Sequence, residues 1–362
     1  MANDDKLSAI IKQVNSDVNA EMLQRASAID VGDRIATGLV SLDKTLRGGL
    51  PVGAPILLAG FKSTGKSAFC YHMAQRVFED TGGVIVLVQT EPGFDIEWAA
   101  MCGLPTDNTI FTTCEDASGK HDMGGDLSDT LDVVLMLLKK HKPACVILDS
   151  LSALSGSMDK AVGDGKSRGD RAKPIAEFFR KLNWHMDKET PPLMLVVEHL
   201  QPNLASSYGG QITTGGVVKG YIATTEIWFR RVGRVVEVVD ELLDEKGKPR
   251  ELPVELEITW EIKKSKTSPE GGVGKFNLGL RDTQIIRAGE ISDFEDLMAQ
   301  AIMLGIVEKK GSWFMYGGEK YQGIFNLRSS LTTDALKELI AGAGEESGKE
   351  NSGGDGGEES SE

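Results

Sequence analysis

Apolar positions along this chain follow two rhythms. Short, nearly unbroken runs occur at Ile56–Ala59, Val84–Gln89, Ala144–Asp149, Leu193–Glu198 and Glu226–Arg231. Runs of this length predict strands buried on both faces. Between several of them the spacing changes to the three-to-four period of an amphipathic helix, as at Leu127–His141 and Ala172–Asp187. Strands alternating with helices from about Gly38 to Arg231 predict an α/β domain around a mainly parallel sheet. Ahead of it, Leu7, Ile10, Ile11, Val14 and Val18 recur at helical spacing. So small an apolar stripe is stable only when packed on something, either a neighbouring subunit or the chain's own core.

Past Arg231 the pattern changes. Val235–Val239 and Leu256–Lys263 read as strands of a hairpin around the polar turn Glu245–Pro249. Ile291–Leu304 has helical periodicity, and Ser312–Tyr316 with Glu319–Gly323 reads as a hairpin about Gly317-Gly318. From Ala341 onward the chain is mostly Gly, Ser and Glu, which buries too little apolar surface to order itself. The expected organisation is an N-terminal helix and oligomerisation linker at 1–32, an α/β core at 33–287, a small α+β lobe at 288–340 and a disordered acidic tail at 341–362.

Composition alters this picture only at the edges. The 362 residues carry a net charge of −14, of which Glu345–Glu362 holds −6 and the rest −8. Global charge therefore argues against a nucleic-acid partner, while a mildly acidic body still accommodates a local basic groove. Cys70, Cys102, Cys114 and Cys145 are scattered in neither a zinc nor a disulfide spacing, which predicts a reducing cytoplasm. No apolar run approaches the roughly 18 residues of a membrane span. The opening Met-Ala-Asn-Asp-Asp-Lys lacks the basic-then-apolar order of a secretion signal.

Candidate chemistry centres on Gly60-Phe61-Lys62-Ser63-Thr64-Gly65-Lys66-Ser67. It satisfies the phosphate-loop pattern at every fixed position, after a strand and before the helix predicted at Ser67–Phe78. Backbone N–H groups and a helix N-terminus then converge on an anion. Lys66 is placed for the β- and γ-phosphates of ATP, and the Ser67 hydroxyl for Mg²⁺. Hydrolysis needs further carboxylates. Asp149 ends an apolar strand and suits the Mg²⁺ water shell. Glu91 follows the Val84–Gln89 strand and would polarise the attacking water if that strand neighbours the loop strand. His199, after Leu193–Glu198, is either a γ-phosphate sensor or a structural histidine.

Taken in order, Thr37-Gly38, Ser41-Leu42-Asp43, Gly48-Gly49-Leu50-Pro51, the phosphate loop, Glu91, Leu148-Asp149-Ser150 and Thr213-Thr214-Gly215-Gly216 resemble the RecA family of homologous-pairing ATPases. Gly289–Ser292, Leu304–Trp313 and Tyr316–Lys320 resemble the small C-terminal lobe of bacterial members. His199 and the Lys264–Thr267 run are similar to phage recombinases of the UvsX type. The likeness spans about residues 30 to 340. It implies a RecA-like P-loop ATPase core and several roles. Glu91 would orient water and Asp149 support Mg²⁺. Trp98 would stack on adenine and Asp95 accept its amino group; without the family, Trp98 reads as a core anchor. Lys264 and Lys266 would reach a neighbouring subunit's γ-phosphate; without the family they are charges at a strand end.

The resemblance also implies two DNA-binding loops. The first, Ser155–Lys173, contains Lys166, Arg168, Arg171 and Lys173, with Arg180 beyond it. Cations on a loop suit a phosphate backbone. The second, Leu200–Thr214, is uncharged and carries Tyr208, an aromatic able to stack on bases, with Lys219 following. Glu198 departs from the family, where relatives often have Asn. The implied function is an ATP-dependent recombinase, a Mg²⁺-dependent and DNA-dependent ATPase forming helical filaments on single-stranded DNA and pairing it with homologous duplex. Implied partners are further copies of the chain, a recombination mediator and a single-strand binding protein, with no membrane. The location is cytoplasmic, in the host if a phage encodes it. Two other readings are an ATP-switched non-catalytic filament protein, disfavoured by Glu91, and a hexameric helicase-like ATPase, disfavoured by the C-terminal lobe.

Overall fold

The computed structural model describes residues 2–18, 23, 25, 32–90, 93–113, 127–151, 172–202, 211–213, 223–243 and 249–350. Two compact units result, Met1–Asp33 and Arg34–Glu362. The first contains helix α1 (Ala2–Asp17), on which Leu7, Ile10 and Val14 are exposed, as is Val18 just beyond it. The Asn15 side chain donates to the Leu23 carbonyl at 2.8 Å and accepts from the Leu23 amide at 2.7 Å.

In the second unit, β1 (Arg34–Ile35), α2 (Val40–Thr45) and β2 (Leu50–Pro51) lead into β3 (Pro55–Gly60) and α3 (Lys66–Thr81). Then come β4 (Ile85–Gln89), α4 (Ile96–Met101), β5 (Thr109–Thr113), α5 (Leu127–His141), β6 (Cys145–Asp149), α6 (Ala172–His185), β7 (Leu193–Pro202) and β8 (Gln211–Thr213). Two long strands follow, β9 (Thr225–Leu243) and β10 (Pro249–Ser265), then β11 (Val273–Gly279) and β12 (Ile291–Ser292). The C-terminal lobe holds α7 (Phe294–Met303), β13 (Glu308–Lys310), β14 (Trp313–Tyr316), β15 (Glu319–Gln322), α8 (Gly323–Arg328) and α9 (Thr333–Glu350).

The large sheet runs β12-β11-β10-β9-β3-β7-β6-β4-β5, with β8 on β7. Strands β9, β3, β7, β6, β4 and β5 are parallel to one another, and β10, β11 and β12 extend the sheet antiparallel. Helices on both faces explain why β3, β4 and β6 are buried at every position. One face packs Leu58, Phe69, Phe229 and Trp260; the other packs Leu57, Leu131, Phe178 and Leu182. A third cluster, around Phe294, Leu297, Leu327 and Leu336, is the core of the lobe. The chain is thus α/β with a mainly parallel sheet, as the hydrophobic rhythm predicted.

Four segments differ from their expected form. The strands expected at Glu226–Arg231 and Val235–Val239 are one strand, β9. Gly233 sits beside a pairing shift between Glu257 and Ile258, where a Cβ would strike Glu257 Oε2 at 1.9 Å. The helical period at Ile291–Leu304 begins as strand β12, because Ile291 and Ser292 pair with β11. Strand β13 escapes sequence reading because Glu308, Lys309 and Lys310 are all exposed and carry no alternation. Finally, α9 runs to Glu350, so residues 341–350 of the expected disordered tail are helical despite their three glycines.

Candidate nucleotide site and DNA-facing edge

The phosphate loop closes between a buried strand and a firmly seated helix. Phe69 of α3 meets Phe229 edge-on at 5.1 Å and stacks on Phe276 at 6.2 Å, fixing α3 against the sheet. A Cβ on Gly60 would lie 2.6 Å from both Phe229 O and Thr64 Oγ1. Gly65 has φ +78°, and a Cβ there would lie 2.6 Å from Ile258 Cδ1. Both positions therefore require glycine. Gly65 is the N-cap of α3 and gives no side-chain cap, which leaves first-turn amides for an anion. Lys66 is buried, and its Nζ donates to Gly60 O at 3.0 Å and Phe61 O at 2.7 Å. Phe61, Lys62 and Ser63 form the exposed rim, Thr64 is buried and donates to Phe61 O, and Ser67 is half-buried in the first turn. Backbone cradle, ammonium and hydroxyl together fit a nucleotide triphosphate.

Neighbouring strands bring their carboxyl ends to the same edge. In β7, His199 stands opposite Gly60. The next strand, β6, ends at buried Asp149, about 10 Å across the sheet from the loop strand. Burial first, then the Asp149 charge, push the Cys70 thiol up, while Lys66 pulls it down. Asp149 and Lys66 thus act on one buried group beneath the loop. Ser67 and Asp149 supply the hard oxygen atoms that suit Mg²⁺.

The condition attached to Glu91 is not met as framed. Strands β7 and β6 lie between β3 and β4, so β4 sits about 14 Å from the loop strand. The chain leaves β4 against β6 instead: Thr90 N donates to Asp149 O at 2.8 Å, and Thr90 Oγ1 donates to Ser150 O at 2.8 Å. Glu91 itself lies outside the described residues. Further along, Asp95 caps α4, with Oδ1 accepting from the amides of Glu97 at 3.0 Å and Trp98 at 3.1 Å. The cap sets the pose of Trp98, which is half-buried against the core. Phe111, on a strand that the sequence reading passed over, stacks on Phe94 at 4.7 Å.

Lys264 and Lys266 are not gathered with the loop of their own chain. Lys264 pairs in register with Glu226, and the Lys266 amide donates to Thr224 O. Thr225 is opposite Ile56, four residues before Gly60. The two lysines therefore sit about 13 Å down the sheet, at its other edge. Arg180 is exposed on α6 beside Lys181, which pairs with Glu177 at 3.0 Å. Lys173 belongs to the first turn of α6 by its backbone. Lys166, Arg168, Arg171, Tyr208 and Lys219 lie outside the described residues. Among the described cysteines, Cys70, Cys102 and Cys145 are free and buried, and burial lifts the Cys102 thiol to about 12. They contribute packing, not nucleophilic chemistry. Among the described residues no His, Cys, Asp and Glu group could hold a metal by itself, and no helix is long and apolar enough to cross a membrane.

Comparison with known proteins points one way. The family model for the RecA N-terminal domain matches residues 4–250. Protein RecA of Cytophaga hutchinsonii is 26% identical over 290 residues, covering 79% of this chain and 73% of that protein. Protein RecA of Laribacter hongkongensis is 25% identical over 342 residues, 91% of this chain and 88% of that protein. Protein RecA of Chlorobium chlorochromatii is 25% identical over 359 residues, 92% and 93% respectively.

Proposed function

Since this chain belongs to the RecA family, we propose that it polymerises as a helical filament on single-stranded DNA, hydrolyses ATP there and drives homologous pairing and strand exchange. One observation carries the reading: a glycine-restricted phosphate loop with its lysine folded into it, and His199 one strand away at the same level. Family likeness alone assigns no chemistry.

In this reading the loop amides and Lys66 hold the β- and γ-phosphates. Ser67 and Asp149 hold Mg²⁺, which supplies charge neutralisation at the phosphates. Glu91 orients the attacking water, and Trp98 covers the adenine while Asp95 fixes the helix that carries it. His199 senses the γ-phosphate and passes its presence to the chain after β7, where Tyr208 and Lys219 contact DNA. Lys166, Arg168, Arg171, Lys173 and Arg180 neutralise backbone phosphates. The distance of Lys264 and Lys266 from their own loop supports a role at the next subunit's γ-phosphate. Homologous duplex is the second DNA substrate, with a mediator and a single-strand binding protein as partners in the cytoplasm. Electron microscopy of the chain with single-stranded DNA, Mg²⁺ and a slowly hydrolysed ATP analogue tests the proposal. Regular helical filaments on the strand are expected; discrete particles with bare DNA under all nucleotide conditions would overturn it.

A further inference from the structure

The backbone from Ala36 to Val40 is held by side chains from widely separated parts of the sequence. Three consecutive carbonyls each accept from a different cationic or imidazole group. Arg76 Nε donates to Ala36 O at 3.4 Å, and His72 Nε2 to Thr37 O at 2.7 Å; both belong to α3. Lys337 Nζ, from α9 of the lobe, donates to Gly38 O at 2.7 Å. The amides are held as well. Those of Thr37 and Gly38 donate to Asp43 Oδ1 and Oδ2 at 2.7 and 3.0 Å. The Val40 amide donates to Asp293 Oδ2 at 2.8 Å, and Asp293 Oδ1 lies 3.4 Å from Lys337 Nζ. Thr37 is fully buried and Asp293 nearly so.

This strap therefore has two handles. One is α3, whose first residues, Lys66 and Ser67, form the phosphate site. His72 is five residues beyond Ser67, about 7.5 Å along a rigid helix. The other handle is the lobe, which grips through Asp293 and Lys337. Hydrogen bonds of 2.7–2.8 Å break on small displacements, so a shift of α3 either drags the strap or costs a buried donor or acceptor its partner. We propose that His72 and Lys337 are positioning residues that couple occupancy of the phosphate loop to the placement of the C-terminal lobe through the Ala36–Val40 strap. The inference rests on the ATP reading given above. Coupling is reciprocal, so the lobe also tunes nucleotide affinity.

Hydrogen exchange on the full chain tests this, with and without Mg²⁺ and a slowly hydrolysed ATP analogue. Binding of the analogue is measured separately by calorimetry. In the unmodified chain, analogue binding changes the exchange of α9 amides by a factor in the roughly 5- to 150-fold range usual for coupled sites. Lys337→Met and His72→Leu bring that factor close to one and shift analogue affinity. Lys337→Arg and His72→Gln, which keep a donor, retain the response. Gln300→Met removes a different bond between the lobe and α2, Gln300 Nε2 to Ser41 Oγ at 3.1 Å, and also retains it. A full response in Lys337→Met or His72→Leu overturns the proposal. So does an equal loss in Gln300→Met, or a silent lobe in an unmodified chain that binds the analogue. An unmodified chain that binds no analogue overturns the ATP reading itself, and the strap loses its input.

Discussion

Gly65 and Lys66 are adjacent, yet they serve the loop by different physics. Lys66 supplies charge that the loop carbonyls hold in place. Removing it in Lys66→Ala should lower ATP turnover by about a hundredfold or more, the usual loss when a transition-state donor is deleted. Steady-state phosphate release measures this, and an unchanged rate would remove the site. Gly65 supplies shape. In Gly65→Ala a methyl group meets Ile258 at 2.6 Å in a left-handed backbone. Gly82, at the far end of the same helix, has φ +63° with nothing within 4 Å. Gly82→Ala should cost about 1 kcal/mol of stability and leave nucleotide binding intact. Gly65→Ala should abolish that binding, as read by fluorescence titration with a labelled nucleotide. Equal behaviour of the two variants would contradict the cradle. The loop was legible in sequence because its chemistry is contiguous. Asp149 was legible because a strand with an acidic end needs no partner to be recognised. His72 and Lys337 were not, since only the fold brings residues 265 positions apart to consecutive carbonyls.

At the scale of elements, strand order was the least legible feature. Every strand of the parallel half was visible as an apolar run except β5, but no run states its neighbours. That is why the role of Glu91 had to be conditional on β4 neighbouring the loop strand, and β7 and β6 intervene. The lobe's attachment was equally hidden. Arg328 of α8 donates from Nη1 to both carboxylate oxygens of Glu255 on β10 at 3.0 Å, and Asn277 of β11 donates to Glu255 Oε2 at 2.7 Å. All three side chains are buried. A buried pair of this kind adds little net stability, but removing one partner strands the other charge. Glu255→Gln should therefore destabilise the chain by about 3–5 kcal/mol in urea unfolding. The double variant with Arg328→Met should lose clearly less than the sum of the single losses. Additive losses would show that the two groups do not interact.

For the whole molecule, charge decides which partners are tolerated. The described residues leave Arg180 exposed on the outer side of α6, and the chain as a whole is acidic. The seven acids of Glu345–Glu362 form the largest local excess. Part of that segment extends α9, so its first charges ride on the lobe's own helix. Deleting Glu345–Glu362 should strengthen binding to single-stranded DNA at low salt. The gain should shrink as the Debye length falls toward about 3 Å at 1 M salt. Fluorescence anisotropy across a salt series checks this, and identical curves for both chains would contradict it. The N-terminal helix and the alternation of strands and helices were legible from periodicity, whereas the buried contacts that tie α8 to β10 were not.

ATP turnover by the unmodified chain, measured with and without single-stranded DNA, bears most directly on the central claim. If hydrolysis at the Lys66 loop is coupled to holding a strand, the rate rises many-fold when the strand is added and falls back when a nuclease removes it. A rate that is measurable but indifferent to DNA would leave an ATPase of this fold without the coupling proposed for it.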